Sequence, residues 1–247
     1  MAGPMAINKT PAAAGPVPRL FLVTRGQMGY RNKTFGCRAG ATREPQMLIQ
    51  INAQNPHQRL VAMAVEVLQR GGVIAYPTDT YYGIGCDIFN KRAIEKIYQL
   101  RQRDKKKPFS FICSDLKHIS DYAKVSNYAY KTMRRLLPGP YTFILEGSKM
   151  VPRIMLTKRR TAGIRVPDHA ICIALVENLG NPIISTSAKD PDGDIFEDPS
   201  LLHDYFGSRI DLVIDGGPVP GRPSSVISLI DDEPEILREG LGDVSSL

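Results

Sequence analysis

Four short polar clusters carry the groups in this 247-residue chain that could do chemistry. They are Thr78-Asp79-Thr80-Tyr81-Tyr82, the run from Arg101 to Lys107, the run from Ser185 to Lys189, and Arg222 to Ser225. Hydroxyl, guanidinium and ammonium groups make up this inventory, which suits the holding of phosphate and carboxylate oxygens. The parts of a nucleophilic or metal centre are missing. Four cysteines (Cys37, Cys86, Cys113, Cys172) and four histidines (His57, His118, His169, His203) lie far apart, with no CxxC or HExxH spacing. That pattern argues against a zinc site, a dithiol redox centre or a disulfide framework, and fits thiols used as small core fillers in a reducing compartment. No G-x-x-x-x-G-K-[ST] run occurs, so the chain is no P-loop protein. Gly83-Ile84-Gly85 is a lone G-x-G and reads as a strand kink.

Each cluster also has a purely structural explanation. The 78–82 segment can be a plain loop between paired strands, with Asp79 closing an Asx-turn. Cations from 101 to 107 suit the negative end of a helix dipole. Ser185-Thr186-Ser187 can be a cap or turn, and Arg165 can pair with any of several acids.

The elements around the clusters follow from periodicity and caps. Val73 to Tyr76 is an apolar strand that leaves its sheet at Pro77, which has no N–H for a ladder. A second short strand follows from Gly83. Before them come a strand at 48–51 and a helix opened by Asn55 as N-cap and Pro56, which Gly71-Gly72 stops. Asn90 caps the next helix, which runs into five cations within residues 101–107. Strands at 109–113, 141–145, 161–166 and 182–185 alternate with a short helix that Ser114 caps, one from Ser126 to Leu137, and one from His169 to Leu179. A helix near 199–206 and strands near 211–214, 225–230 and 234–238 close the chain. Several strands follow one another without a crossover helix. An α+β fold with α/β-like layers is therefore expected: a single mixed, twisted sheet with helices on both faces. That placement leaves the polar clusters at strand ends, where open sheets hold ligands.

Composition is that of an ordinary globular protein, 43% hydrophobic and 23% charged, and no apolar run approaches the roughly 20 residues of a membrane span. The formal net charge of +7 is concentrated at one end. Residues 1–46 hold seven basic side chains against Glu44, leaving 25 basic and 24 acidic in the rest. The body is near neutral, so a basic patch there has to be local. The first 46 residues have no sustained periodicity and are expected to be a disordered or mis-started extension, with Met47 beginning the domain.

Taken together, the chain from about Asn55 to Gly242 resembles the YrdC-domain family, the threonylcarbamoyl-adenylate synthases that make the precursor for a tRNA modification. P-T-D-T-x-Y-G-x-G is met at Pro77 to Gly85, P-G-P-x-T at Pro138 to Thr142, and R-V-P at Arg165 to Pro167. The S-T-S run, R-P-S-[ST]-V at Arg222 to Val226 and R-E-G at Arg238 to Gly240 follow in order. Two signatures differ: K-x-R reads Arg101-Gln102-Arg103, and S-x-N reads Ser187-Ala188-Lys189. Arginine for lysine keeps charge but replaces a compact ammonium with a planar fork, and Lys189 replaces an amide with a cation. This pattern resembles the YciO-like branch.

The resemblance implies a YrdC/RibB-like fold over 47–247 and a cytoplasmic enzyme. Its substrates would be ATP with Mg²⁺, L-threonine and bicarbonate, with no tightly bound cofactor and no membrane partner. Threonine's amine and bicarbonate form a carbamate, which attacks the α-phosphate of ATP and expels pyrophosphate. A carbamate is already an anionic nucleophile, so catalysis rests on positioning and charge neutralisation, and Mg²⁺ rides on the nucleotide's oxygens. The resemblance places Thr80 and Tyr82 near the amino acid, and Arg101, Arg103, Ser187 and Arg238 facing the nucleotide. Thr142, Arg165 and Ser225 would line the cleft, Thr78 and Ser185 belong to the same binding clusters, and Lys189 takes a catalytic position. The alternative is an RNA- or ribosome-binding protein whose Arg101–Lys107 loop tracks phosphodiester backbone; such a protein needs cations over an open surface and not inward hydroxyls.

Overall fold

The computed structural model describes residues 47–102, 109–190, 192–245 and 247. Among these described residues ten strands and six α-helices follow in the order β1 (Met47–Gln50), α1 (Gln58–Gln69), β2 (Ile74–Tyr76), β3 (Gly83–Gly85), α2 (Lys91–Leu100), β4 (Ser110–Ile112), α3 (Leu116–Tyr122), α4 (Asn127–Leu136), β5 (Tyr141–Glu146), β6 (Thr161–Arg165), α5 (Ala170–Leu179), β7 (Ile183–Ser187), α6 (Pro199–Phe206), β8 (Leu212–Asp215), β9 (Ser225–Ser228) and β10 (Glu235–Arg238). All ten strands join one sheet in the order β1-β8-β2-β3-β7-β4-β6-β5-β9-β10. It is mixed, as expected: β8 runs parallel to β1 and β2, while β3 is antiparallel to both of its neighbours.

Alternation along β2 shows how the sheet makes two cores. Ile74 and Tyr76 pack with α1 and α5 on one face, where Val61, Leu68, Ile171 and Leu175 are fully buried. Val73 and Ala75 join the other face, covered by Ile94 and Ile97 of α2, Met133 of α4 and Phe206 of α6. Side chains of period two therefore bury both sides of the same strand, which is why it reads as an unbroken apolar run.

Caps fix several element boundaries. Asn90 accepts from the Ala93 N–H at 3.0 Å, so Asn90→Ala is expected to cost about 1 kcal/mol, read as a fall in the urea midpoint at constant slope. Ser126 caps α4 in the same way, and Gly180 ends α5 in the left-handed conformation. Two expectations shift. Helix α1 begins at Gln58 after His57, because Asn52 Oδ1 takes the Gln54 and Asn55 N–H groups and draws Asn55-Pro56 into a loop. Asp115, not Ser114, caps α3: its Oδ1 accepts from the His118 N–H, while Ser114 Oγ lies 3.1 Å from the His118 ring.

Gly83-Ile84-Gly85 forms a regular strand and no kink. A Cβ on Gly85 would lie 2.1 Å from the Ile184 carbonyl oxygen and 2.9 Å from the Tyr76 ring, and one on Gly83 would lie 3.1 Å from the same ring. Both glycines let the buried Tyr76 ring lie across β3. Cys86, Cys113 and Cys172 are buried free thiols whose pKa values burial pushes up, so they behave as inert core atoms. Among the described residues no helix is long and apolar enough to cross a membrane.

Candidate active site

One cleft of about 300 Å³ opens over the middle of the sheet. Its floor uses the central strands: Ser110 of β4, Gly163 of β6 and Ser185 of β7. Beside them stand Thr78, Thr80, Tyr81 and Tyr82 of the β2–β3 loop, Thr142 of β5 and Arg238 of β10. Hydroxyls dominate the lining.

The β2–β3 loop is held by its own threonines. Thr78 Oγ1 donates to the Tyr81 carbonyl at 2.6 Å and accepts from the Thr80 N–H at 3.1 Å. Tyr82 is fully buried; its hydroxyl donates to the Gly217 carbonyl at 2.8 Å and lies 3.3 Å from the Gly216 N–H. Burial raises the pKa of that phenol well above its ordinary value, so it stays neutral and serves as a wall.

Arg165, at the end of β6, is the central charge. Its Nη2 donates to Asp79 Oδ1 at 2.6 Å and to Thr80 Oγ1 at 3.1 Å. The two side chains of the ion pair are only 9% and 8% exposed, which makes this a buried pair and not a surface one. Asp79 Oδ2 also accepts from the Asp168 N–H at 3.1 Å, so a single carboxylate fixes both ends of the Arg165–Asp168 turn. Among the described residues Arg165 Nε is buried with no hydrogen-bond partner. A buried N–H left unpaired is costly.

On the opposite wall, Thr142 Oγ1 lies 2.8 Å from Ser224 Oγ. Arg238 spans the same serine, donating through Nε and Nη2 to its carbonyl at 3.0 and 2.8 Å and through Nη2 to its Oγ at 3.1 Å. The register of β10 against β9 shifts between Ile236 and Arg238, the kind of bulge that re-aims a side chain. Burial lowers the pKa of Arg238 from its ordinary value.

The structure thus brings together Thr78, Thr80, Tyr82, Thr142, Arg165, Ser185, Ser187 and Arg238. Ser225 lies elsewhere. It is fully buried, donates to the Gly242 carbonyl at 2.6 Å and accepts from the Gly240 N–H at 3.0 Å, tying down the C-terminal segment. Strand alternation explains the exchange: Ser224 and Val226 share the cleft face and Ser225 faces away. Ser110, Thr157 and Thr161 are cleft residues outside the four polar clusters, and Ser224 is one inside the last of them. A polar Ser110 inside the otherwise apolar 109–113 run was the available signal for one of them.

Arg101 and Lys189 occupy a second cavity of about 310 Å³, shared with Gln102, Tyr205, Phe206 and Arg209. An Arg101 Nη1 donates to the Lys189 carbonyl, and the Lys189 ammonium sits 5.4 Å from the centroid of the Tyr81 ring, which itself borders the first cleft. Ser187 and Lys189 therefore do not share a cavity. Arg103 and the rest of the basic run to Lys107 lie outside the described residues.

A mixed sheet thus carries a hydroxyl-lined cleft with a preorganised arginine in its wall. The chain belongs to the Sua5/YciO/YrdC family: that family's sequence model, described as "Telomere recombination", matches residues 66–240. It is 46% identical to the Escherichia coli protein YciO over 196 residues, 78% of this chain and 95% of that one. The crystal structure of E. coli YciO superposes with a TM-score of 0.78 at 44% identity, covering 81% of this chain and 98% of that chain. A threonylcarbamoyl-AMP synthase of Coxiella burnetii is 34% identical over 178 residues, 71% of this chain and 94% of that one. The crystal structure of P. abyssi Sua5 complexed with L-threonine matches with a TM-score of 0.74 at 27% identity, covering 79% of this chain and 58% of that chain.

Proposed function

We propose that this protein is a threonylcarbamoyl-AMP synthase of low turnover, joining L-threonine, bicarbonate and ATP into threonylcarbamoyl-AMP with release of pyrophosphate. The product would serve tRNA modification in the cytoplasm. The observation that carries this reading is Arg165: a buried guanidinium clamped by Asp79, with its Nε–H unspent beside a wall of hydroxyls. An amino-acid carboxylate satisfies that donor in a charge-assisted bond, and Thr80 and Ser185 offer neutral partners for its remaining oxygens and amine. The name of the C. burnetii relative and the threonine of the P. abyssi complex support the same substrate.

Once the carboxylate is held, the amine is positioned to take up bicarbonate with loss of water. The carbamate oxygen then attacks the α-phosphorus, the bond to the bridging oxygen breaks, and pyrophosphate leaves with that electron pair. The neutralising group on this chain is Arg238 across the cleft, while Lys189 beside Tyr81 adds charge that favours binding of the triphosphate. Among the described residues no three His, Cys, Asp or Glu gather as a metal site. In this reading Mg²⁺ arrives on the phosphate oxygens of ATP and supplies charge neutralisation there.

The test is pyrophosphate release from ATP, with threonine and bicarbonate each present or omitted. Release that requires both is the expected result. Release that ignores threonine, or none under any condition, refutes the assignment.

A further inference from the structure

The hairpin between β5 and β6 ends in a turn, Lys158-Arg159-Arg160, that the function above leaves unused. Thr157 and Thr161 bracket the turn, and both line the cleft. They are locked together: the Thr157 N–H donates to the Thr161 carbonyl at 3.0 Å, and the two Oγ1 atoms are 2.7 Å apart. The Arg160 N–H closes the turn on the Thr157 carbonyl at 2.9 Å. The three cations are exposed and consecutive. Among the described residues none of them is within ion-pairing distance of an acid.

Arg160 adopts φ = 60°, the left-handed region. Glycine, which has no Cβ, or asparagine, whose short side chain bonds locally, fills such a position in an ordinary turn; a long L side chain is strained there. Solubility alone would be met by Lys158 and Arg159 with a glycine third. A cation kept at a strained position on the rim of a ligand cleft points to use by a ligand.

The cleft's own two arginines supply only part of the charge a triphosphate needs, and both are held in place by the protein. Arg165 is held by Asp79 and Thr80, and Arg238 by Ser224. The tail of a nucleoside triphosphate carries several negative charges and needs further partners. We propose that the Lys158-Arg159-Arg160 turn is a polyphosphate-binding element at the cleft mouth, taking the β- and γ-phosphates of the nucleotide. The identity of that nucleotide as ATP rests on the reaction proposed above; the polyphosphate chemistry does not.

Calorimetric titration with inorganic tripolyphosphate and with ATP, at fixed ionic strength, tests this. Lys158→Ala with Arg159→Ala is expected to raise Kd for both ligands by at least about fivefold, since two charge-assisted contacts are lost. Arg160→Gly is expected to raise Kd by about threefold while the Tm holds or climbs, because glycine accepts the positive φ. Affinity for L-threonine stays unchanged in both. The proposal is overturned if wild type binds neither ligand or if the variants leave both affinities intact. It is also overturned if only a salt-sensitive RNA affinity falls, which would assign the turn to a nucleic-acid face. Should wild type release no pyrophosphate while tripolyphosphate affinity still falls in the variants, the proposed reaction fails and the phosphate site stands.

Discussion

Replacing Asp79 with alanine is expected to lower the unfolding free energy by about 3–5 kcal/mol, the largest single stability loss in the molecule's binding cleft. The cause is the guanidinium left behind. Arg165 is 8% exposed and its Nη2 would lose its 2.6 Å carboxylate partner, leaving a buried charge supported by Thr80 alone. The Asp168 N–H would lose its acceptor as well, loosening the turn that carries Arg165. Chemical denaturation gives the number, and an unchanged midpoint would mean that the pair is solvated. Asp79→Leu combined with Arg165→Met separates stability from binding. Apolar replacement of both partners in a buried pair is often neutral, so this variant is expected to melt near wild type. It should nevertheless show no calorimetric signal with L-threonine, because the donor proposed to read the carboxylate is gone. Threonine binding that survives the double change would remove Arg165 from the site.

The second large effect concerns the two signature departures. Lys189 holds its ammonium over the Tyr81 ring at the margin of the cleft, and its carbonyl is fixed by Arg101. An ammonium attracts a triphosphate through a field that differs little between bound substrate and transition state, so it favours binding over turnover. An amide at the same place can both donate and accept at defined angles. Lys189→Asn with Arg101→Lys is therefore expected to raise threonine-dependent pyrophosphate release about tenfold, or about 1.4 kcal/mol of transition-state stabilisation. Arg101→Lys belongs in the pair because the planar guanidinium is what clasps the 189 carbonyl. Measured as kcat at saturating ATP, a slower double variant would show that Lys189 is a working part of the site.

Local physics in the sequence was enough to outline most of the sheet. Alternation and turn residues located β5, β6, β8 and β10 to within a residue or two, and Asn90 and Gly180 announced their own caps. Adjacent residues of equal capping power were not separable in this way. Ser114 and Asp115 both suit an N-cap, and the choice fell to Asp115 because the His118 ring was there for the serine. Ser224 and Ser225 differ only in parity, which register with β5 decides. Long-range pairing was out of reach altogether. Asp79 and Arg165 stand 86 residues apart, and nothing local chooses that acid over its competitors. The clasp of Arg101 on a main-chain carbonyl was equally silent, since every residue offers the same acceptor.

The place of β8 between β1 and β2 bears on how the chain comes to be built. Neither early strand pairs with the other; each waits for the same partner, and the Val73 N–H meets Asp211 across 138 residues. During synthesis the segment that will become β2 can close its hairpin with β3, yet its other edge stays open until residue 215 has emerged. Helices α1 and α5 then seal a face that did not exist before that insertion. Acquisition of the native state is thus gated by a late, non-local event, the kind that slows folding and prolongs exposure of unpaired apolar strands. For a nascent chain, the vulnerable interval is set by the distance from β2 to β8 and not by the size of the protein.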